Sequence, residues 1–133
     1  MSQTTDHRRP AGETPAPVRR PPAATAAAVL QLALGTVTSV AGTAFSFIAG
    51  GAWYVATAVF PVALVLWWVA GLGLLRGSRR GHRLGVGLLL ALNAFNLMKI
   101  VVFREDAGYV FLCLTVLVLS LQLAPSTRAW SRR

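Results

Sequence analysis

The chain has 133 residues, 55% of them hydrophobic and only 13% charged, about half the charged share usual in a soluble domain. A mean hydropathy of +0.59 beside a net charge of +9 describes neither a wet globular surface nor a nucleic-acid module, since no basic-aromatic pattern accompanies the charge. The one cysteine, Cys113, excludes a disulfide framework, and four acidic residues (Asp6, Glu13, Glu105 and Asp106) leave few candidates for acid–base catalysis.

Met1–Pro22 carries Pro10, Pro15, Pro17, Pro21 and Pro22 among Arg8, Arg9, Arg19 and Arg20. Proline at this density blocks helix and favours solvated, extended backbone, so residues 1–22 are expected to form a disordered Pro/Arg-rich cytoplasmic tail. A cleaved signal peptide fits less well. The apolar segment that follows is longer than the 7–15 residues or so of a signal h-region, and a second apolar run succeeds it directly.

From Pro21 to Leu75 there is no Asp, Glu, Lys or Arg over about 55 residues. A bilayer core about 30 Å thick takes roughly 20 apolar residues per helical crossing, so this run holds two. Gly50-Gly51 divides it into spans at 24–49 and 53–75. The Arg76–Arg83 loop follows, then a third span at 84–103, a charged turn at Arg104-Glu105-Asp106, and a fourth span at 108–124. Backbone crossing lipid must satisfy its hydrogen bonds internally, and the alternation of a membrane barrel is absent, so all four spans are expected to be helices. The expected fold is an all-α, integral membrane four-helix bundle over residues 23–124, with a basic cytoplasmic tail at 125–133.

Eleven of the 13 Lys and Arg residues fall in the N-terminal tail, the Arg76–Arg83 loop and the C-terminal tail. Four crossings put all three on one side. The positive-inside rule makes that side cytoplasmic, N-in and C-in, in a bacterial inner membrane. Trp53 and Tyr54 then fall at the outer interface and Trp130 near the inner one. Arg76, Arg79, Arg80 and Arg83 are expected to meet anionic headgroups.

Within the spans, small and hydroxyl residues of the first helix (Gly35, Ser39, Gly42, Thr43 and Ser46) recur at helical spacing and form a candidate packing face. Its partner helix could be in the same chain or in a second copy. Gln31, Asn93, Asn96 and Lys99 are the candidate intramembrane polar residues. An amide in lipid needs a hydrogen bond, and a cation there is either functional or snorkels to the headgroups. Lys99 lies near enough to Arg104-Glu105-Asp106 for either outcome. Direct contact between Gln31 and the Asn pair is not expected, because the topology sets them toward opposite ends. Pro61 is expected to kink the second helix.

The Arg-Pro-rich head, the Arg-Gly loop at Arg76–Arg83 and the ending Leu123-Ala-Pro-Ser-Thr-Arg-Ala-Trp130 together resemble the uncharacterised small four-helix integral membrane proteins of high-GC, actinobacterial-type bacteria. That resemblance implies an architecture and no reaction. Length and helix count are also similar to those of small four-helix multidrug exporters. Those proteins are marked by a first-helix glutamate, where this chain offers only Gln31. The reading that follows is a small multi-pass, non-enzymatic membrane protein without cofactor or metal. It packs with itself or within a larger membrane complex and does not bind nucleic acid. The alternative is a small channel or transporter whose path is lined by Gln31, Asn93, Asn96 and Lys99.

Overall fold

A computed structural model describes residues 19–51 and 54–132. Most of the expected N-terminal tail, and Trp53, lie outside the described residues. Those described form five helices and no strand: α1 (Pro22–Ala49), α2 (Tyr54–Leu75), α3 (Arg79–Phe103), α4 (Ala107–Leu123) and α5 (Pro125–Trp130). Consecutive helices pack side by side, α4 closes back on α1, and α5 lies against both α1 and α4. α1, α2 and α3 are long and apolar enough to cross a membrane, whereas α4, with 17 residues, is shorter.

Local chemistry accounts for the helix ends. α1 starts at Pro22, where a missing N–H costs nothing, and stops where Gly50 turns to φ +63° with its N–H on Ser46 O. α2 closes in a Schellman motif: Gly77 at φ +75° donates to Leu74 O (3.0 Å) and Ser78 N–H to Gly73 O (2.8 Å). Ser78 then caps α3, its Oγ accepting from Gly81 N–H at 3.3 Å.

α3 therefore begins at Arg79 and not at Leu84, where the apolar run starts. Hydropathy marks where lipid can begin, but the cap decides where the helix begins. The C-terminal segment, expected as a plain tail, contains the short helix α5, started by Pro125. α2 runs through Pro61 as one helix.

Small side chains occupy the closest helix contacts, Leu34, Trp67, Leu74, Leu89 and Val118 fill the core between them, and many other large apolar side chains face outward. Ala24, Ala27, Ala28 and Ala70 are fully buried, whereas Ile48 is 85% exposed and Val55 74%. In water such a distribution would be untenable; against lipid it costs nothing. Close helix approach follows from the glycines. Trp67 packs onto Gly35 and Phe60 onto Gly42, so that a β-carbon at either glycine would fall within 2.4 Å of the aromatic ring. Leu32 fills the notch at Gly71 in the same way. At the arginine-rich end α2 and α3 touch backbone to backbone, and a β-carbon on Gly81 would lie 2.6 Å from Gly73 Cα.

Backbone cannot swing aside as a side-chain tip can. Gly81→Ala is therefore expected to lower stability by about 1–3 kcal/mol. Thermal unfolding in detergent should show a clear drop in midpoint relative to Gly87→Ala, because a β-carbon at Gly87 meets nothing within 4 Å. Equal midpoints for the two variants would contradict the α2–α3 contact.

Candidate functional site

The interior faces carry polar residues at helix-repeat spacing. On α4 the buried residues are Gly108, Thr115, Val118 and Gln122, and on α1 they include Gln31, Leu34, Gly35 and Ser39. The α4 face packs against α3 and α1, the α1 face against α2 and α4, and together they form separate polar contacts along the bundle axis.

Nearest the arginine-rich end, Gln122 Nε2 donates to Gln31 Oε1, joining α4 to α1. Both amides are fully buried. Gly85 of α3 makes the room: a β-carbon there would stand 2.9 Å from Gln31 Oε1 and 3.0 Å from Gln122 Nε2. The pair is half satisfied, since Gln31 Nε2 and Gln122 Oε1 are buried without a partner.

Eight residues further along α3, about 12 Å at 1.5 Å per residue, Asn93 Oδ1 accepts from Thr115 Oγ1 at 2.5 Å. That hydroxyl also lies within reach of the carbonyls of Phe111 and Leu112. Asn96, 4% exposed, keeps its Nδ2 buried and unpartnered. At the far end Lys99 Nζ meets Glu105 Oε2 at 2.6 Å and sits 5.9 Å from the centre of the Phe95 ring. The charge therefore turns toward the α3–α4 turn and is neutralised there.

The four sequence-derived polar candidates are thus not one constellation. Gln31 and the Asn pair do not meet, and Lys99 belongs to a surface ion pair. Gln122 and Thr115, the partners that matter, were not singled out from the sequence. The available signal was their seven-residue spacing, which puts both on one α4 face.

The small-residue face of α1 is occupied within the chain. Gly35 and Gly42 receive α2 aromatics, Ser39 and Ser46 are buried, and Thr43 is half-buried. Its hydroxyls mostly turn back to their own helix: Thr43 Oγ1 donates to Ser39 O and Ser46 Oγ to Gly42 O, each at 2.8 Å. One hydroxyl bridges helices, because Thr36 Oγ1 accepts from Trp68 Nε1 at 3.2 Å.

Among the described residues, two surface grooves stand out. One, of about 620 Å³, runs between α1 and α2 near Ser39, Thr43 and Pro61, with Phe47 and Ile48 on its wall. The other, of about 580 Å³, is at the arginine-rich end between α3 and α5. Neither is lined by Gln31, Asn93, Asn96 or Lys99. No protein-family model, curated protein or solved structure matches this chain.

Removing one amide of the buried pair strands the other. Gln31→Leu and Gln122→Leu should each destabilise the bundle by about 1–2 kcal/mol, and the double variant by less than their sum. A double-mutant cycle read by unfolding in detergent should give a coupling of roughly 0.6–1.7 kcal/mol, from the mean to the maximum for interhelical hydrogen bonds in membranes. Strict additivity would mean that the amides do not meet.

Proposed function

We propose that this chain is a non-enzymatic, multi-pass membrane protein of four crossings, acting as a packing or accessory component that assembles with itself or within a larger membrane complex. The observation that carries this reading is how its polar and apolar groups are used. Gln31 and Gln122, Asn93 and Thr115, and Lys99 and Glu105 engage one another, while large apolar side chains such as Val37, Phe47, Val62 and Leu90 face outward. These polar pairs tie the helices of the bundle to one another, and its exterior is left for lipid and neighbouring helices.

At about 25 Å, α4 falls at the lower limit of a crossing, which supports counting it as the fourth. An even number of crossings gathers eleven of the 13 basic side chains at one end, which supports an N-in, C-in orientation in a bacterial inner membrane. Reporter fusions at residues 51 and 106 are expected to behave as external and a fusion at 78 as internal. An internal signal at 51 or 106 would sink the four-crossing topology. Affinity purification in mild detergent should recover a second copy or a membrane partner. Recovery of a monomer alone, under conditions that preserve other complexes, would count against an assembly role.

A second reading, a small channel or transporter, draws on one observation: Gln31 Nε2, Gln122 Oε1 and Asn96 Nδ2 are buried without partners. Water entering between the helices would satisfy them. That reading expects cysteines introduced at 93 and 96 to react with membrane-impermeant thiol reagents and Asn96→Leu to abolish flux. Resistance of both cysteines from both sides would exclude it.

A further inference from the structure

The groove between α3 and α5 is a built feature of the fold. Arg79, His82 and Arg83 come from the first turns of α3, and Arg128, Ser131 and Arg132 from α5 and the residues after it. α5 is held in place by contacts that owe nothing to charge. Trp130 Nε1 donates to Leu74 O at 3.0 Å, and Gly77 passes so close that a β-carbon would lie 3.2 Å from Trp130 O. Thr127 is fully buried and Ser131 2% exposed, which fixes the inner face of α5 and turns Arg128 and Arg132 toward α3.

Four arginines, Arg79, Arg83, Arg128 and Arg132, therefore line one concavity. The acidic side chains among the described residues, Glu105 and Asp106, belong to the turn at the opposite end of the bundle. Holding four cations together without a carboxylate among them is unfavourable unless an anion completes the set. His82 also lines the groove, and its Nδ1 is buried without a partner. Val86 and Leu123 give the groove an apolar floor.

We propose that this groove is a binding site for the phosphate headgroup of an anionic phospholipid. The arginines take the phosphate oxygens in forked hydrogen bonds, and the Val86–Leu123 floor carries the start of an acyl chain. A soluble phosphate would use the arginines and leave that floor bare. The site is distinct from general attraction of basic loops to acidic membrane, because Arg76 and Arg80 have the same charge and the same loop but do not line it. It rests on the membrane reading above.

The experiment uses the full chain purified in mild detergent. Carbonate extraction of membranes comes first. Release of the protein would overturn the membrane reading itself, separately from anything learned about the groove. Retained lipid is then measured by native mass spectrometry after exposure to phosphatidylglycerol or to phosphatidylcholine.

Selective retention of phosphatidylglycerol is expected, weakened roughly tenfold or more by Arg83→Gln with Arg128→Gln. The control pair Arg76→Gln with Arg80→Gln, which removes equal charge, should change it less than about twofold. Arg83→Lys with Arg128→Lys keeps the charge and spares the fold; it should still lose most of the retention, because an ammonium cannot fork. Equal losses in the groove and control pairs, or full retention in the lysine pair, would overturn a structured site. Displacement of the lipid by millimolar inorganic phosphate, with no preference between the two lipids, would overturn the assignment to a lipid headgroup.

Discussion

Close approach of helix backbones is the constraint on which the rest of this structure depends. Lipid tails are as apolar as leucine, so burying leucine between helices gains little there, and helices must be held by dense contact and hydrogen bonds. The chain answers with glycine and alanine at the closest helix contacts, beside a core of Leu34, Trp67, Leu74, Leu89 and Val118. Gly35 and Gly42 admit Trp67 and Phe60, Gly71 admits Leu32, and Gly73 meets Gly81 with no side chain between them. The aromatic rings supply the contact area that the small residues lack. Because α1 and α2 interlock in this way, the serines and threonines of α1 are brought against α2 and bond mostly to their own helix.

The same close approach explains where the polar groups go. Gly85 lets two glutamines from α1 and α4 face each other beside α3, and this contact closes the ring of helices. Asn93 and Thr115 repeat the arrangement one layer further on, between α3 and α4 alone. Each is a point of registry: a one-residue change in the register of α4 turns the helix by about 100° and would carry Thr115 and Gln122 off the inner face together. The buried amide atoms left without partners show that the core is not fully satisfied, and buried amides without partners carry a real energetic cost.

At the arginine-rich end the fold turns a loop and a tail into a surface of defined shape. The Schellman close of α2, the Ser78 cap and the Trp130 bond to Leu74 O are each local, yet together they set α5 beside the first turns of α3. Arginines from segments some 45 residues apart in the chain thereby share one groove. Charge that the sequence sets in separate clusters is brought together.

Much of the architecture was legible in the sequence because the bilayer reads composition over long windows. An uncharged apolar run, Gly50-Gly51 and the clustered arginines sufficed for an all-helical chain whose four long apolar segments lie close to helices α1 to α4. Ser78 and Pro125 were also visible as a helix cap and a helix start, but hydropathy drew attention away from both, so α3 was expected five residues late and α5 as tail. The polar pairings were beyond reach for a different reason. Gln31 and Gln122 are 91 positions apart, and which amide meets which depends on helix rotation and depth, set by the summed packing of all four helices. The sequence by itself determined that the chain is helical and apolar enough for lipid. Only the tertiary structure decided that its polar residues form separate pairs and that its C-terminal arginines complete a groove, because those outcomes rest on contacts between segments that no local window contains.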